Sequence, residues 1–286
     1  MSGTVRQLSA YNHDRDTAGL TYVYPVVSRR AGGVSVGVNL NTNHACNWHC
    51  VYCQVPDLTR GVAPEINLSL LREELHGFLH ELLHGGFMAK RVPEDCRRLC
   101  DVAISGNGEP TSCGQFEAVV RLIVETMHQA GVPGDVRLRL ITNGSYMHKA
   151  HVRQGMQHMA EHHGEVWVKL DAVTPGVIRR INGIKLDNAR LRRQIELAAS
   201  LCPTWIQTCM FAWDGQPPDK AEIVAYLDFL AGLVRDGVAV KGVLLYGLAR
   251  PSLQPEAGHV SALPEAWMKA LAQRIEIAGM PVQLSL

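Results

Sequence analysis

No apolar run in this 286-residue chain approaches the ~18 residues needed to cross a bilayer. The start Met1-Ser2-Gly3-Thr4 also lacks the charged-then-apolar layout of a secretory leader, so the chain reads as cytoplasmic, with no membrane partner. An excess of charge is missing as well: 28 basic residues against 27 acidic ones leave a formal +1, and no global field draws the chain to nucleic acid. RNA contact would rest on local patches such as Arg29-Arg30. There is no low-complexity tract, and 47% hydrophobic content is enough for a full core, which excludes disordered and fibrous classes. No cysteine precedes Cys46, and the eight cysteines of a cytoplasmic chain are expected to be thiols, metal ligands or core residues, not a disulfide framework. The 13 histidines are read as surface residues without a spaced metal motif.

What the chain does have is alternation. Short β-rich runs lie at residues 34–40, 99–105, 136–142, 165–171, 204–211 and 238–246. Between them apolar residues recur at helical spacing, as in Leu71, Leu75, Phe78, Leu79 and Leu82, or Phe116, Val119, Val120, Ile123 and Met127. Leu191 and Ile195, then Ile223, Tyr226, Leu227 and Leu230, continue the pattern. Six strand-helix units predict an α/β fold with a parallel sheet, either open and doubly wound or curled into a full or partial barrel.

Polar residues inside the strands favour the barrel. Val166, Val168 and Leu170 share one face of their strand, so Trp167, Lys169 and Asp171 share the other. The same alternation groups Asp101, Ala103 and Ser105, Arg139 with Asn143, and Gln207 with Cys209. Charged inner faces need partners or a polar ligand, and a lumen with a cofactor at its carboxyl edge supplies both. A purely structural salt-bridge network among Asp101, Arg139 and Lys169 is the plainer reading for the strand starts.

The strongest chemical signal is Cys46-Asn-Trp-His-Cys50-Val-Tyr-Cys53, directly after the first of these strands. Three thiolates within eight residues can hold the corners of an iron-sulfur cubane or a zinc ion. A closed site wants a fourth protein ligand, whereas an open fourth position suits a cluster that binds a cofactor or substrate. Gln54 after Cys53, in place of His, removes the c-type haem motif. A non-catalytic zinc or iron-sulfur module, acting in redox sensing or RNA binding, stays open as the alternative.

The run CNWHCVYC fits the CxxxCxΦC signature and resembles radical S-adenosylmethionine (SAM) enzymes, with Tyr52 at the aromatic position. The segments VVSRRAGGVSVG (26–37), SGNGEPT (105–111), ITNGS (141–145), VKLDA (168–172), IQT (206–208) and LYGLARP (245–251) are similar to the wyosine-synthase-like branch, over roughly residues 22 to 252. The resemblance implies a partial (β/α)6 TIM-type barrel, SAM as cofactor, and one 4Fe-4S cluster on Cys46, Cys50 and Cys53. It also implies an external one-electron donor such as flavodoxin or ferredoxin, and an unidentified small-molecule, peptide or RNA substrate. On that resemblance Gly106, Asn107, Gly108 and Glu109 face the cofactor, with Glu109 on the methionine amine. Thr142 and Asn143 would reach the ribose or carboxylate, Lys169 and Asp171 the carboxylate and ribose, and Gln207 the cofactor or substrate. Adenine would lie near Tyr52 and Tyr246. Arg250, just after the sixth strand, resembles a family position, although a barrel cap is the plainer reading.

The remaining thiols do not form a second cluster. A strand of six or seven residues, ~20 Å long, separates Cys96 and Cys100 from Cys113, and Cys202 from Cys209. They are expected to behave as small hydrophobes, with Cys113 or Cys209 as candidates to relay a hydrogen atom. The branch's wyosine-forming members place a further cluster on cysteines upstream of the signature, which this sequence lacks, so 4-demethylwyosine formation is not expected. One domain over residues 1–286 is expected, with a core at about 32–250, an arm at 1–21 and an extension at 252–286 carrying a helix with Leu263, Trp267, Leu271 and Ile275.

Overall fold

The computed structural model describes Leu8 and residues 18–28 and 32–286. Arg29-Arg30 and most of the expected arm lie outside the described residues. In chain order come β1 (Val23–Ser28), β2 (Gly33–Val38), β3 (Ala45–Cys46), β4 (Thr59–Arg60), α1 (Leu68–His84) and α2 (Phe87–Arg91). They are followed by β5 (Leu99–Ile104), α3 (Phe116–Gln129), β6 (Arg137–Thr142), α4 (Ala150–Glu161), β7 (Glu165–Lys169), α5 (Pro175–Asn182) and α6 (Asn188–Leu201). The chain continues through β8 (Thr204–Cys209), β9 (Ala212–Trp213), α7 (Lys220–Arg235), β10 (Val240–Tyr246), β11 (Val260–Ser261), α8 (Glu265–Ile277) and β12 (Val282–Ser285).

Eight strands form one sheet in the order β1-β2-β5-β6-β7-β8-β10-β12, curled into a half-barrel. The six expected strands are its consecutive parallel members from β2 to β10. Two more extend it. β1 pairs antiparallel with β2, and Pro25, which has no N–H for a ladder, sits there on an edge strand. β12 follows α8 and pairs parallel with β10, so the C-terminal extension supplies a sheet strand as well as the expected helix.

The helices cover the outer face. Leu71, Leu75, Phe78, Leu79 and Leu82 form the buried stripe of α1, whose start is capped by the Asn67 side chain accepting from Leu70 N at 3.1 Å. Burying each such side chain is worth about 1.5–3 kcal/mol. Glu74 on the same helix is buried and accepts from the backbone of Thr21 and Tyr22 at 2.8 and 2.7 Å, which fixes the entry to β1. On β6 burial alternates, with Leu138, Leu140 and Thr142 under the helices and Arg137, Arg139 and Ile141 on the other face.

The inner-face network differs from the expected one. Asp101 accepts from Ser35 and Arg139, Arg139 reaches Glu165 at 3.6 Å, and Glu165 binds Lys241 at 2.6 Å. Lys169 is no part of it. The parallel register sets Arg139 beside Glu165 at the start of β7, and Lys169 comes four residues later, near the carboxyl edge. Arg139 also stacks on the Trp167 ring at 4.8 Å.

Glu165 feels burial, which raises its pKa, but the hydrogen bond and charge of Lys241, with Arg139 and Arg137, lower it more, so the carboxyl titrates below its ordinary range. A depressed carboxylate pKa stabilises the fold fully above the unfolded-state value, and that contribution drains away as pH falls through the folded value. Glu165→Gln should therefore lower stability at neutral pH by about 1–3 kcal/mol. Urea unfolding at stepped pH should find the gap between wild type and variant closing as acid is added; a gap constant with pH would count against this account.

Candidate functional site

The cysteine loop leaves the carboxyl end of β2 and is held from several sides. β3, which contains Cys46, pairs with β4, and Arg60 of β4 donates to Asn47 O and, at 2.7 Å, to Gly183 O. The end of α5 lends its last carbonyls: His49 N and Val51 N donate to Asn182 O and Ile181 O, both at 2.9 Å. Trp48 Nε1 donates to Ser145 Oγ at 2.9 Å. The 252–254 segment closes the far side, Ser252 Oγ donating to Val51 O at 2.7 Å, Leu253 N to Cys53 O at 2.9 Å and Gln254 Nε2 to Val55 O at 2.7 Å.

All eight cysteines are free, and Cys46, Cys50 and Cys53 are half-buried. Burial pushes the Cys46 thiol up to about 12 and raises that of Cys50 as well, so a metal would have to displace those protons. Two donors already point at sulfur: Trp48 N to Cys46 Sγ at 3.4 Å and Asn182 Nδ2 to Cys50 Sγ at 3.3 Å.

The loop after β5 is pressed against this one. A Cβ on Gly106 would meet Asn39 Oδ1 at 2.2 Å, and one on Gly108 would meet Ala45 O at 2.0 Å. These glycines are therefore required for loop-on-loop contact. Asn107 N donates to Asn39 Oδ1, and its residue does not border the cavity described below. Glu109 is 2% exposed; its Oε1 accepts from Thr111 N and from the hydroxyls of Thr111 and Thr142, while Oε2 accepts only from Asn143 N at 2.7 Å. Burial raises the Glu109 pKa against the opposing pull of those donors. Asn143 Nδ2 reaches across to Asn47 Oδ1 at 2.8 Å, which links β6 to the cysteine loop.

Lys169 lies on the opposite wall, with Asp171 behind it. Asp171 Oδ2 accepts from Tyr52 OH at 2.5 Å and Asn182 Nδ2 at 3.0 Å, and Oδ1 from Cys209 N at 3.1 Å. Lys169 Nζ donates to Tyr52 OH at 2.5 Å and lies 3.7 Å from Asp171. Burial works to lower the Lys169 pKa, but the Asp171 charge and further anionic neighbours raise it well above its ordinary value, so the ammonium persists. Asp171 thus joins the cysteine loop, α5 and β8. Tyr246 is hydrogen-bonded to the Cys209 thiol.

A cavity of about 260 Å³ occupies the lumen. Of the expected residues it brings together Cys46, Cys50, Tyr52, Cys53, Gly106, Gly108, Glu109, Thr142, Asn143, Lys169 and Gln207. Asn107, Asp171 and Tyr246 do not border it, and neither do Cys113 and Cys209. Gln207 is 3% exposed and its Oε1 has no partner, an acceptor waiting for a donor from a ligand. Tyr24, Val26 and Ser28 of β1 also line the cavity; their period-two spacing was the available signal, hidden by Pro25. The histidine reading also needs correction, because His158, Glu161 and His162 bring their ligating atoms within 4.8 Å of one another, and His-x-x-Glu-His was the missed pattern.

No protein-family model matches the chain. Among curated proteins, GTPase Obg of Brachyspira hyodysenteriae is 25% identical over 132 residues, 46% of this chain and 17% of that protein, so the chain spans under a fifth of that relative. Solved structures align over far more. A radical SAM methyltransferase from Sphaerobacter thermophilus matches with a TM-score of 0.56 at 15% identity, covering 88% of this chain and 66% of that one. TYW1 with a lysine-pyruvate adduct bound gives 0.53 at 16%, covering 86% and 74%. Streptococcus suis SuiB bound to S-adenosylmethionine gives 0.54 at 10%, covering 89% of this chain and 47% of that one. The chain has the half-barrel fold of radical SAM enzymes. No helix among the described residues is long and apolar enough to cross a membrane.

Removing the Asp171 carboxylate should leave Lys169 buried without its counter-charge, Tyr52 without an acceptor and Asn182 with the Cys50 sulfur alone. Asp171→Ala is expected to cost about 3–5 kcal/mol in urea unfolding. Tyr52→Phe, which deletes one hydroxyl, should cost about 0.5–1.5 kcal/mol. Equal losses in the two variants would mean that the carboxylate is not the shared tie.

Proposed function

We propose that this chain is a radical SAM enzyme, with Cys46, Cys50 and Cys53 on three irons of a 4Fe-4S cluster and the fourth left for SAM. The observation that carries the reading is the convergence of three half-buried thiols, the under-used Glu109 Oε2, Lys169 and the unpartnered Gln207 Oε1 on one lumen cavity. When bound, such a cluster supplies the electron that splits SAM into methionine and a 5′-deoxyadenosyl radical, which takes a hydrogen atom from the substrate.

The chain's own residues have definite tasks in that scheme. Glu109 Oε2 accepts from the methionine ammonium, and the cation returns the carboxyl to its ionised form, offsetting the burial that raises its pKa. Lys169 has three N–H donors, one of which is taken by Tyr52, and offers another to the methionine carboxylate. Gln207 Oε1 accepts from a hydroxyl or amine of the nucleoside or substrate. Asn182 draws electron density from the Cys50 sulfur, one of the levers on a cluster's potential. The electron comes from an external donor of the flavodoxin or ferredoxin type, and the reaction runs in the cytoplasm. Transfer RNA modification is the substrate class we favour, on the resemblance of the segments at 26–37, 105–111 and 141–145 to the wyosine-synthase-like branch.

Anaerobically reconstituted protein, given SAM and dithionite, should release 5′-deoxyadenosine, read by mass spectrometry. Alanine at Cys46, Cys50 or Cys53 should abolish both cluster and product. A cluster retained in those variants, or wild type that carries the cluster yet leaves SAM intact, defeats the assignment.

Glu109→Gln should keep its iron but bind SAM about 1.5–3 kcal/mol more weakly, the worth of a hydrogen bond to a charged group. In wild type the affinity should rise with pH as the raised Glu109 pKa is passed, because the ionised carboxylate is the acceptor. Calorimetry at two pH values tests both, and a flat pH response with equal affinities would reduce Glu109 to a loop brace.

A further inference from the structure

A second set of ligating side chains sits on the last turn of α4, at the amino edge of the sheet just before β7 begins, whereas the cysteine loop is at the carboxyl edge. His158, Glu161 and His162 occupy positions i, i+3 and i+4, which project from one face of a helix. One ligating atom from each lies within 4.8 Å of the others. The two imidazoles meet edge to face, with centroids 4.6 Å apart and planes at 62°, and His158 Nδ1 lies 3.3 Å from Glu161 Oε2. Access differs usefully along the set. The His158 side chain is 14% exposed and so held by its surroundings, while the Glu161 side chain is 69% exposed and open to incoming ions.

The chemistry of the set selects the occupant. Two imidazoles and a carboxylate suit zinc and its neighbours in the first transition row, and suit calcium or magnesium poorly because those want oxygen. Unsatisfied carbonyls at a helix C-terminus add a negative end that favours a cation there. We infer that His158, Glu161 and His162 bind one divalent transition-metal ion, with zinc the expected species and water completing the tetrahedron. Glu161 is a ligand here and not a general base, since with only two imidazoles the carboxylate is needed as the third protein donor.

The inference stands apart from the cysteine site and bears on how that site is assayed. Zinc found in protein purified in air would have a place to sit that involves no thiol, so its presence alone would say nothing about Cys46, Cys50 and Cys53. Cobalt(II) is the probe that separates the two, because thiolate ligands give an intense near-ultraviolet charge-transfer band and an imidazole-carboxylate-water site does not. Titrated with cobalt(II) and then zinc, the full-length wild type should bind one more equivalent than the double variant His158→Gln/His162→Gln. The lost equivalent should carry no sulfur charge-transfer signal. His162→Gln alone changes an exposed side chain and leaves the fold out of question. It should weaken that equivalent by about tenfold or more, since even indirect partners of a metal ligand are worth that much. The same stoichiometry and affinity in wild type and both variants would overturn the proposal, as would a difference equivalent that shows the thiolate band.

Discussion

The buried carboxylate of Asp171 is the constraint on which the rest of the site depends. A charge with no solvent contact must be answered by donors, and here they come from three separate pieces of chain: Tyr52 from the cysteine loop, Asn182 from α5 and the Cys209 amide from β8. Lys169, two residues earlier at the end of β7, balances the charge at 3.7 Å. Satisfying one anion thus sets where the loop lies over the barrel mouth, and the same Asn182 amide that meets Asp171 also meets the Cys50 sulfur. Glu109 does similar work on the other wall, where its four donors come from its own loop and from the end of β6. Two carboxylates, each out of water, brace opposite sides of one cavity.

Much of this was legible in the residues. The six parallel strands follow from β-branched runs broken by helical stripes, and most of the expected cofactor-facing residues do meet in the lumen, because strand ends in a parallel sheet converge by construction. What was not legible depends on partners distant in sequence. β1 carries a proline, which reads against a strand unless its edge position is known, and β12 is only four residues long. Lys169 looked like a partner for Asp101 because both face inward, but register along the barrel axis decides pairing, and that register is invisible until the strands are aligned. Alternation put Asp171 on the inner face, but nothing local to it announces its bonds to Tyr52 and Asn182. Gly106 and Gly108 line the cavity as expected of cofactor-facing positions, but their close approach to Asn39 and Ala45 shows only in the fold.

The likeness to radical SAM structures at 10–16% identity is a likeness of scaffold. In the lower half of this lumen Asp101, Arg139, Glu165 and Lys241 neutralise one another, and the Arg139 guanidinium lies over the Trp167 ring, 4.8 Å from its centroid. The hydroxyls of Tyr24 and Ser105 bond each other at 2.9 Å.

The clasp made by Ser252, Leu253 and Gln254 on the carbonyls of Val51, Cys53 and Val55 has a consequence for the order of events in the cell. Ribosomes deliver the cysteine loop two hundred residues before its clasp, and the β10–β12 pairing that closes the same edge is delivered later still. During synthesis the loop can be tethered by β4 and, afterwards, by α5, but its final shape has to wait until residues 252–254 have emerged. Thiols loaded before that point would sit in a loop still open on one side, and a change at Ser252 or Gln254 would be felt two hundred residues upstream.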